Sequence, residues 1–203
     1  MTTPSTPSST TAVLVIDMQN DTVHADGAYA ASGAVEHAQE QNVISNVGSV
    51  LDSARANGVQ VFYSRIVVYP VAGLSGNNAP IFNMLAPDTF KLGSWGAQIV
   101  DELTPEPEDI VLDRTRMSVF NGTSIDNMLR NLNVQKLIVV GAWTNMAVEH
   151  TVRDAADHGY EVTIVTDATS SLSAQWQEAA VGYALTNIAN ISTTAAVIEQ
   201  LKG

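Results

Sequence analysis

The sequence predicts an α/β fold: a single-domain, Rossmann-like three-layer sandwich, with a parallel sheet of about six strands and helices on both faces. Two observations carry this. Short, continuous apolar runs rich in Val and Ile recur along nearly the whole chain, as strands covered on both faces require. Helical stretches alternate with them, and repeated strand–helix units give a parallel sheet with right-handed crossovers. A length of 203 residues suits one domain with a full core.

The elements follow in order. AVLVIDM (12–18) is an apolar run ending in an acid. Residues 35–57 carry one long helical pattern, closed by Asn57-Gly58. VQVFYSRIVV (59–68) reads as the second strand. Residues 69–93 are rich in Gly, Pro, Asn and Ser, and a loop of that length is usually a lid or a functional segment. DIVLDRT (109–115) is the third strand, and Thr123 to Asn131 suits a short helix with Thr123 as its N-cap. KLIVVGA (136–142) is followed by a helix to His158 that Gly159 stops. EVTIVTDA (161–168), a helix over 174–188 and a last strand ISTTAAVI (191–198) complete the chain. Residues 1–11, MTTPSTPSSTT, read as a disordered tail without the basic start and apolar stretch of a signal peptide, so residues 12–203 form the domain of a cytoplasmic protein.

Composition narrows the function classes. A net charge of −12 argues against nucleic acid or an anionic membrane as partner, since both need a basic surface. No run approaches the roughly 20 apolar residues that span a bilayer. Zero cysteines exclude disulfides and thiolate–metal sites. Neither GxGxxG nor a Walker A motif is present, so a nucleotide cofactor has no local support. His150, Asp154 and His158 are spaced four apart on one helix and read as a solvated face, so no metal is expected. The expected partner is a small molecule, and no cofactor is expected.

In such a sheet, ligands bind beyond the carboxyl ends of the strands. Three segments converge there. The first is IDMQND, where Asp17 ends a buried strand and Gln19 follows; Asp17 either caps a turn or does acid–base work. The second holds Arg114, Arg116 and Phe120; an arginine cannot serve as a base but can clamp an anion, or it simply pairs with an acid such as Asp113. The third is the turn Trp143-Thr144-Asn145-Met146-Ala147, whose amides either bind an oxyanion or are capped locally. Phe90 and Trp95 read as core, and Trp176 as helix packing or a subunit contact.

Three motifs in matching order and spacing resemble the isochorismatase-like, or cysteine hydrolase, superfamily across residues 12 to 198: LVIDMQND, VLDRTRMSVFNGTSID, and VVGAWTNMAVEHTVRDAADHGYEVTIVTDA. The resemblance implies a catalytic Asp, Lys and Cys; the matching positions hold Asp17, Arg114 and Ala147. In the family mechanism the cysteine attacks an amide carbon while the acid and the lysine manage its proton. A methyl group attacks nothing, so covalent catalysis is removed. True isochorismatases also lack the cysteine and use the acid to protonate a vinyl ether, which supports a thiol-free hydrolysis here. The resemblance further implies a cis peptide between Ala142 and Trp143, and a dimer or tetramer. The first reading is a hydrolase of a small amide, urea or vinyl ether, with Asp17 as acid or base, Arg114 holding a substrate group, and Gln19, Trp143, Thr144, Asn145, Phe120 and Arg116 as substrate contacts. Two alternatives stay open: a binding protein without turnover, and a cysteine amidohydrolase whose residue 147 has been replaced by Ala.

Overall fold

The computed structural model describes residues 9–85 and 88–202, and six of the apolar runs form strands: β1 (Thr11–Ile16), β2 (Gln60–Ile66), β3 (Ile110–Arg114), β4 (Lys136–Ala142), β5 (Glu161–Ser170) and β6 (Asn190–Ser192). All pair in parallel, in the order β3-β2-β1-β4-β5-β6. The order reverses between β1 and β4, which opens a crevice beyond their carboxyl ends.

Alternation along the strands builds two cores. Val13 and Val15 of β1 point to the face covered by α3 (Val43–Ala56) and α8 (Thr194–Leu201), where Val47, Leu51 and Val197 are buried. Ala12, Leu14 and Ile16 point to the other, against α5 (Ile125–Asn131) and α6 (Glu149–Asp157) through Ile125, Leu129 and Val152. The remaining helices are α1 (Asn20–Val23), α2 (Ala34–Glu40), α4 (Pro80–Asn83) and α7 (Ala174–Glu178). No helix among the described residues is long and apolar enough to cross a membrane.

Several boundaries differ from expectation. Residues 191–198 are not a strand: only Asn190–Ser192 pair, and α8 begins at once. Thr193 caps it, accepting from the Ala196 amide, and Asp167 Oδ1 accepts from the Thr194 amide at 2.7 Å. The helix expected over 35–57 is two helices, parted at Asn42, whose φ of 52° no helix accommodates. The short helix near 125 has Ser124 at its N-cap position without a side-chain cap bond, and Thr123, the expected cap, accepts from the Ile125 amide at 3.2 Å. The helix expected over 174–188 ends at Glu178 and continues as a wider, π-type turn to Ala184. Residues 1–8 of the expected tail lie outside the described residues, and Thr11 already belongs to β1. Gly58 and Gly159 stop their helices in left-handed conformations, as expected.

The segment after β2 leaves and rejoins the body at one place. The Val68 amide donates to Phe90 O at 2.8 Å, and the Leu92 amide donates to Val68 O at 3.0 Å.

A buried histidine belongs to α2. His37 is 4% exposed, and its Nδ1 accepts from the Ser171 amide at 3.2 Å. Burial lowers its pKa below the usual imidazole value, outweighing the pull of Glu40. A neutral ring is therefore favoured in the folded state, while the unfolded chain takes up the proton at higher pH. That contribution to stability is complete above an unfolded pKa of about 6.5 and is lost as pH falls below it. The melting temperature of His37→Asn, which keeps an acceptor for Ser171, is expected to fall less than wild type between pH 7 and pH 5. Identical pH profiles would rule His37 out as a titrating group.

Candidate active site

The crevice brings together the ends of β1, β3 and β4. Asp17 follows β1 in a left-handed conformation (φ 51°), 6% exposed. Arg114 ends β3, 2% exposed. The two form a two-pronged ion pair: Arg114 Nη1 to Asp17 Oδ1 at 2.6 Å and Nη2 to Oδ2 at 2.7 Å. Arg114 spends its other N–H groups on Ser64 Oγ, at 3.2 Å from Nη1, and on Met117 O, at 3.0 Å from Nη2 and 3.2 Å from Nε. A guanidinium has five N–H donors, and all are taken by protein. Arg114 therefore clamps Asp17 rather than a substrate group, and Asp113 pairs with Arg65 instead.

Asp17 keeps one opening. Its Oδ1 accepts from Arg114 and from the Ile66 amide at 3.1 Å. Its Oδ2 accepts from Arg114 alone among the described residues, so one of its two acceptor positions is available.

The β4 side is set by Gly141, at φ 115°, where a Cβ would collide with the backbone of Ile16. Only glycine lets β4 lie this close to the end of β1. The Ala142–Trp143 peptide is cis, as the resemblance implies. Residues Thr144–Val148 then make a π-type turn that runs into α6. The amides of Met146 and Val148 both donate to Trp143 O, at 2.9 and 3.3 Å. The Met146 amide is therefore not available as an oxyanion donor.

Asp17, Trp143 and Ala147 all line one small cavity of about 40 Å³. Its walls are otherwise largely apolar, formed by Ile66, Phe82, Met117 and Met146 together with Tyr29 and Phe90. Tyr29 stacks on Phe90 at 5.6 Å and meets Trp143 edge-on at 5.2 Å. Burial raises the Tyr29 pKa, and Asp21 adds to the shift, so the phenol stays neutral. A larger open groove of about 810 Å³ lies alongside, sharing Ile81, Phe82, Met117 and Met146.

The expected substrate contacts separate into three groups. Trp143 lines the inner cavity, and its Nε1 is buried without a partner among the described residues. Asn145 and Arg116 line the outer groove; Asn145 Oδ1 also accepts a short bond from Ser171 Oγ. Gln19, Thr144 and Phe120 line neither. Gln19 is fully buried and spent on backbone: its Nε2 donates to Ile66 O and Ala97 O, and its Oε1 accepts from the Ile66 amide. Thr144 is sealed beneath the turn. Phe120 stacks on His158 at 4.9 Å.

His150 and Asp154 of α6 and His158 at its C-terminal cap, read as a solvated face, are engaged separately: His150 Nδ1 meets Met146 O at 2.9 Å, Asp154 accepts from Asn121, and His158 lies 3.5 Å from Asp126. Phe90 is buried as expected and also walls the cavity. Trp95, expected in the core, is 47% exposed and sits edge-on to His24. Tyr29 and Phe82 were not foreseen; both sit in stretches without periodicity, ADGAYAASGA and NNAPIFNM, which carry no sequence signal for a cavity wall. Asp21 also has a role that its polar setting left open. Its Oδ1 accepts from the Ala28 amide at 3.1 Å and its Oδ2 from the Phe90 amide at 2.7 Å. One carboxylate thus anchors the loops that carry two of the cavity's rings.

An isochorismatase domain model matches residues 11–196. A ureidoacrylate amidohydrolase RutB from Rhizobium rhizogenes is 35% identical over 190 residues, covering 86% of this chain and 76% of that protein. Its counterpart from Agrobacterium fabrum is 35% identical over 202 residues, covering 90% and 88%. Among solved structures, a cysteine hydrolase from Pseudomonas syringae pv. phaseolicola superposes with a TM-score of 0.84 at 26% identity, covering 100% of this chain and 99% of that one. An isochorismatase family protein from Desulfovibrio vulgaris gives 0.81 at 28%, covering 96% and 99%.

Proposed function

The chain belongs to the isochorismatase family, and from that premise we propose that it hydrolyses a small amide or urea with water activated by Asp17, without a covalent intermediate. The observation that carries this is the available acceptor position on Asp17 Oδ2, on a residue lining a small, largely apolar cavity beside the Ala147 methyl. Water placed there gives a proton to Oδ2 as its oxygen bonds to the carbonyl carbon. The C–N bond of the tetrahedral intermediate then breaks, and the leaving nitrogen takes that proton from Asp17. Arg114 and the Ile66 amide hold the carboxylate in place throughout. We assign the developing oxyanion to a backbone N–H of the turn at Ala147. The curated relatives named ureidoacrylate amidohydrolase support the amide or urea class.

A second reading, binding without turnover, is favoured by one observation: every Arg114 donor is consumed, so this cation has no N–H left for an oxyanion. Ammonia release from ureido and amide compounds, followed with intact-protein mass spectrometry, separates the two. Hydrolysis with no mass adduct is expected. Binding of the same compounds with no product would leave the second reading; a covalent adduct would sink the first.

A further inference from the structure

The wall of the inner cavity is short of hydrogen-bond partners. The side chains of Ile66, Leu85, Phe90, Met117, Met146 and Ala147 offer only carbon and sulfur. The Tyr29 hydroxyl is spent: it donates to Met84 O at 3.1 Å and is also bonded to Thr89. Three lining residues keep a polar side-chain atom with capacity to spare. Asp17 Oδ2 has the one acceptor position that the attacking water fills. Thr22 is buried, and its Oγ1 has no partner among the described residues. Trp143 Nε1, likewise unpartnered, can only donate.

This inventory matches one functional group. A primary carboxamide has a carbonyl oxygen and two N–H donors on a single nitrogen. The indole N–H meets the oxygen, Thr22 Oγ1 accepts one amide N–H, and the water on Asp17 accepts the other. A ureido group brings a further N–H on the far side of the carbonyl, and no side chain of the wall is left to accept it. A buried N–H without an acceptor costs free energy that a methylene in the same place does not. Met117 and Met146 adapt in shape to a hydrocarbon lying between them. We propose that the substrate is a primary carboxamide with a short aliphatic acyl chain, and that the inner cavity selects it against ureido compounds by leaving their extra N–H unpaired. Its hydrolysis consumes one water and yields ammonia and the short-chain acid. This rests on the reading of the inner cavity as the seat of the scissile group, and it departs from the ureido group in the names of the curated relatives.

The test compares butanamide with ethylurea, which differ by a methylene replaced with N–H, in a proton NMR titration of the whole protein. Butanamide is expected to bind about tenfold tighter. N,N-dimethylurea, a urea without the extra N–H, is expected to bind as isobutyramide does. Thr22→Val replaces an unpartnered hydroxyl by a methyl of the same shape, which a fold tolerates well, and is expected to weaken butanamide several-fold. Met117→Gln adds an acceptor to the wall and is expected to close much of the gap by strengthening ethylurea. Near-UV circular dichroism checks that both variants are folded. Ethylurea binding as tightly as butanamide, dimethylurea as weak as ethylurea, or no binding of butanamide at roughly 100 mM would each overturn the proposal. So would undiminished butanamide binding in folded Thr22→Val, or an unchanged gap in folded Met117→Gln. The same spectra follow butanoate, the acid left when ammonia departs. A preference for butanamide without butanoate leaves the selection standing and removes the hydrolase; ethylurea consumed faster than butanamide keeps the hydrolase and removes the selection.

Discussion

Asp17→Asn is expected to lower stability by about 3–5 kcal/mol, the range for breaking a buried ion pair from one side. The reason lies in the count of donors. Arg114 keeps its charge at 2% exposure, and two of its N–H groups lose the oxygens they met at 2.6 and 2.7 Å. An amide restores one acceptor and turns an NH₂ toward the guanidinium, or else toward the Ile66 amide that also donates to Asp17. For a domain of this size that loss corresponds to a fall of roughly 10 °C in melting temperature. Differential scanning calorimetry of both proteins measures it. A change below about 1 kcal/mol, the range of exposed pairs, would mean that water reaches the pair and that the clamp described here does not exist. Ammonia release is expected to vanish in the same variant below its melting temperature, since the base is gone.

The second large effect concerns the missing nucleophile. Ala147→Cys places a thiol in the wall of the inner cavity, facing the space that Asp17 also lines. A thiolate is needed for attack. Asp17 Oδ2 keeps one acceptor position for the thiol proton, but Arg114 cannot relay that proton as a lysine can. The single variant is expected to react with small alkylating reagents yet to show weak or no covalent amidase turnover. Ala147→Cys with Arg114→Lys is expected to be more active, because an ammonium has three donors in place of five and releases part of the Asp17 carboxylate. Acyl-enzyme trapping by mass spectrometry reads the covalent route directly. Full covalent turnover in the single variant would show that Arg114 is no barrier, and that the chain is a cysteine hydrolase lacking only its thiol.

Much of this site was legible before the fold was seen, because its key residues stand at strand ends. A buried run that ends in Asp17, another that ends in Arg114 and a third that runs into the turn before Ala147 must bring those residues to one sheet edge, whatever the helices do. Gln19 and Thr144 were misplaced for a related reason. Both belong to the same polar clusters as Asp17 and Trp143, but a sequence does not tell which side chains face the crevice and which satisfy buried backbone. The last strand failed where two signals competed. ISTTAAVI is apolar enough for a strand, yet Thr193 is a helix cap, and the cap decided the outcome. Tyr29, Phe82 and Arg116 act through long loops, so their meeting place is a property of the tertiary structure alone.

The paired bonds between Val68 and the Phe90–Leu92 stretch close the long loop at its base. What lies between those anchors contributes Phe82 to the cavity wall and Asn78 to the setting of Arg116, while Asp17, Arg114 and Ala147 are held by the sheet. The loop side of the cavity wall and the sheet-held residues are thus separable pieces of chain. Exchanging the loop between relatives at these two anchors is expected to change which molecule is preferred while Asp17, Arg114 and Ala147 stay in place.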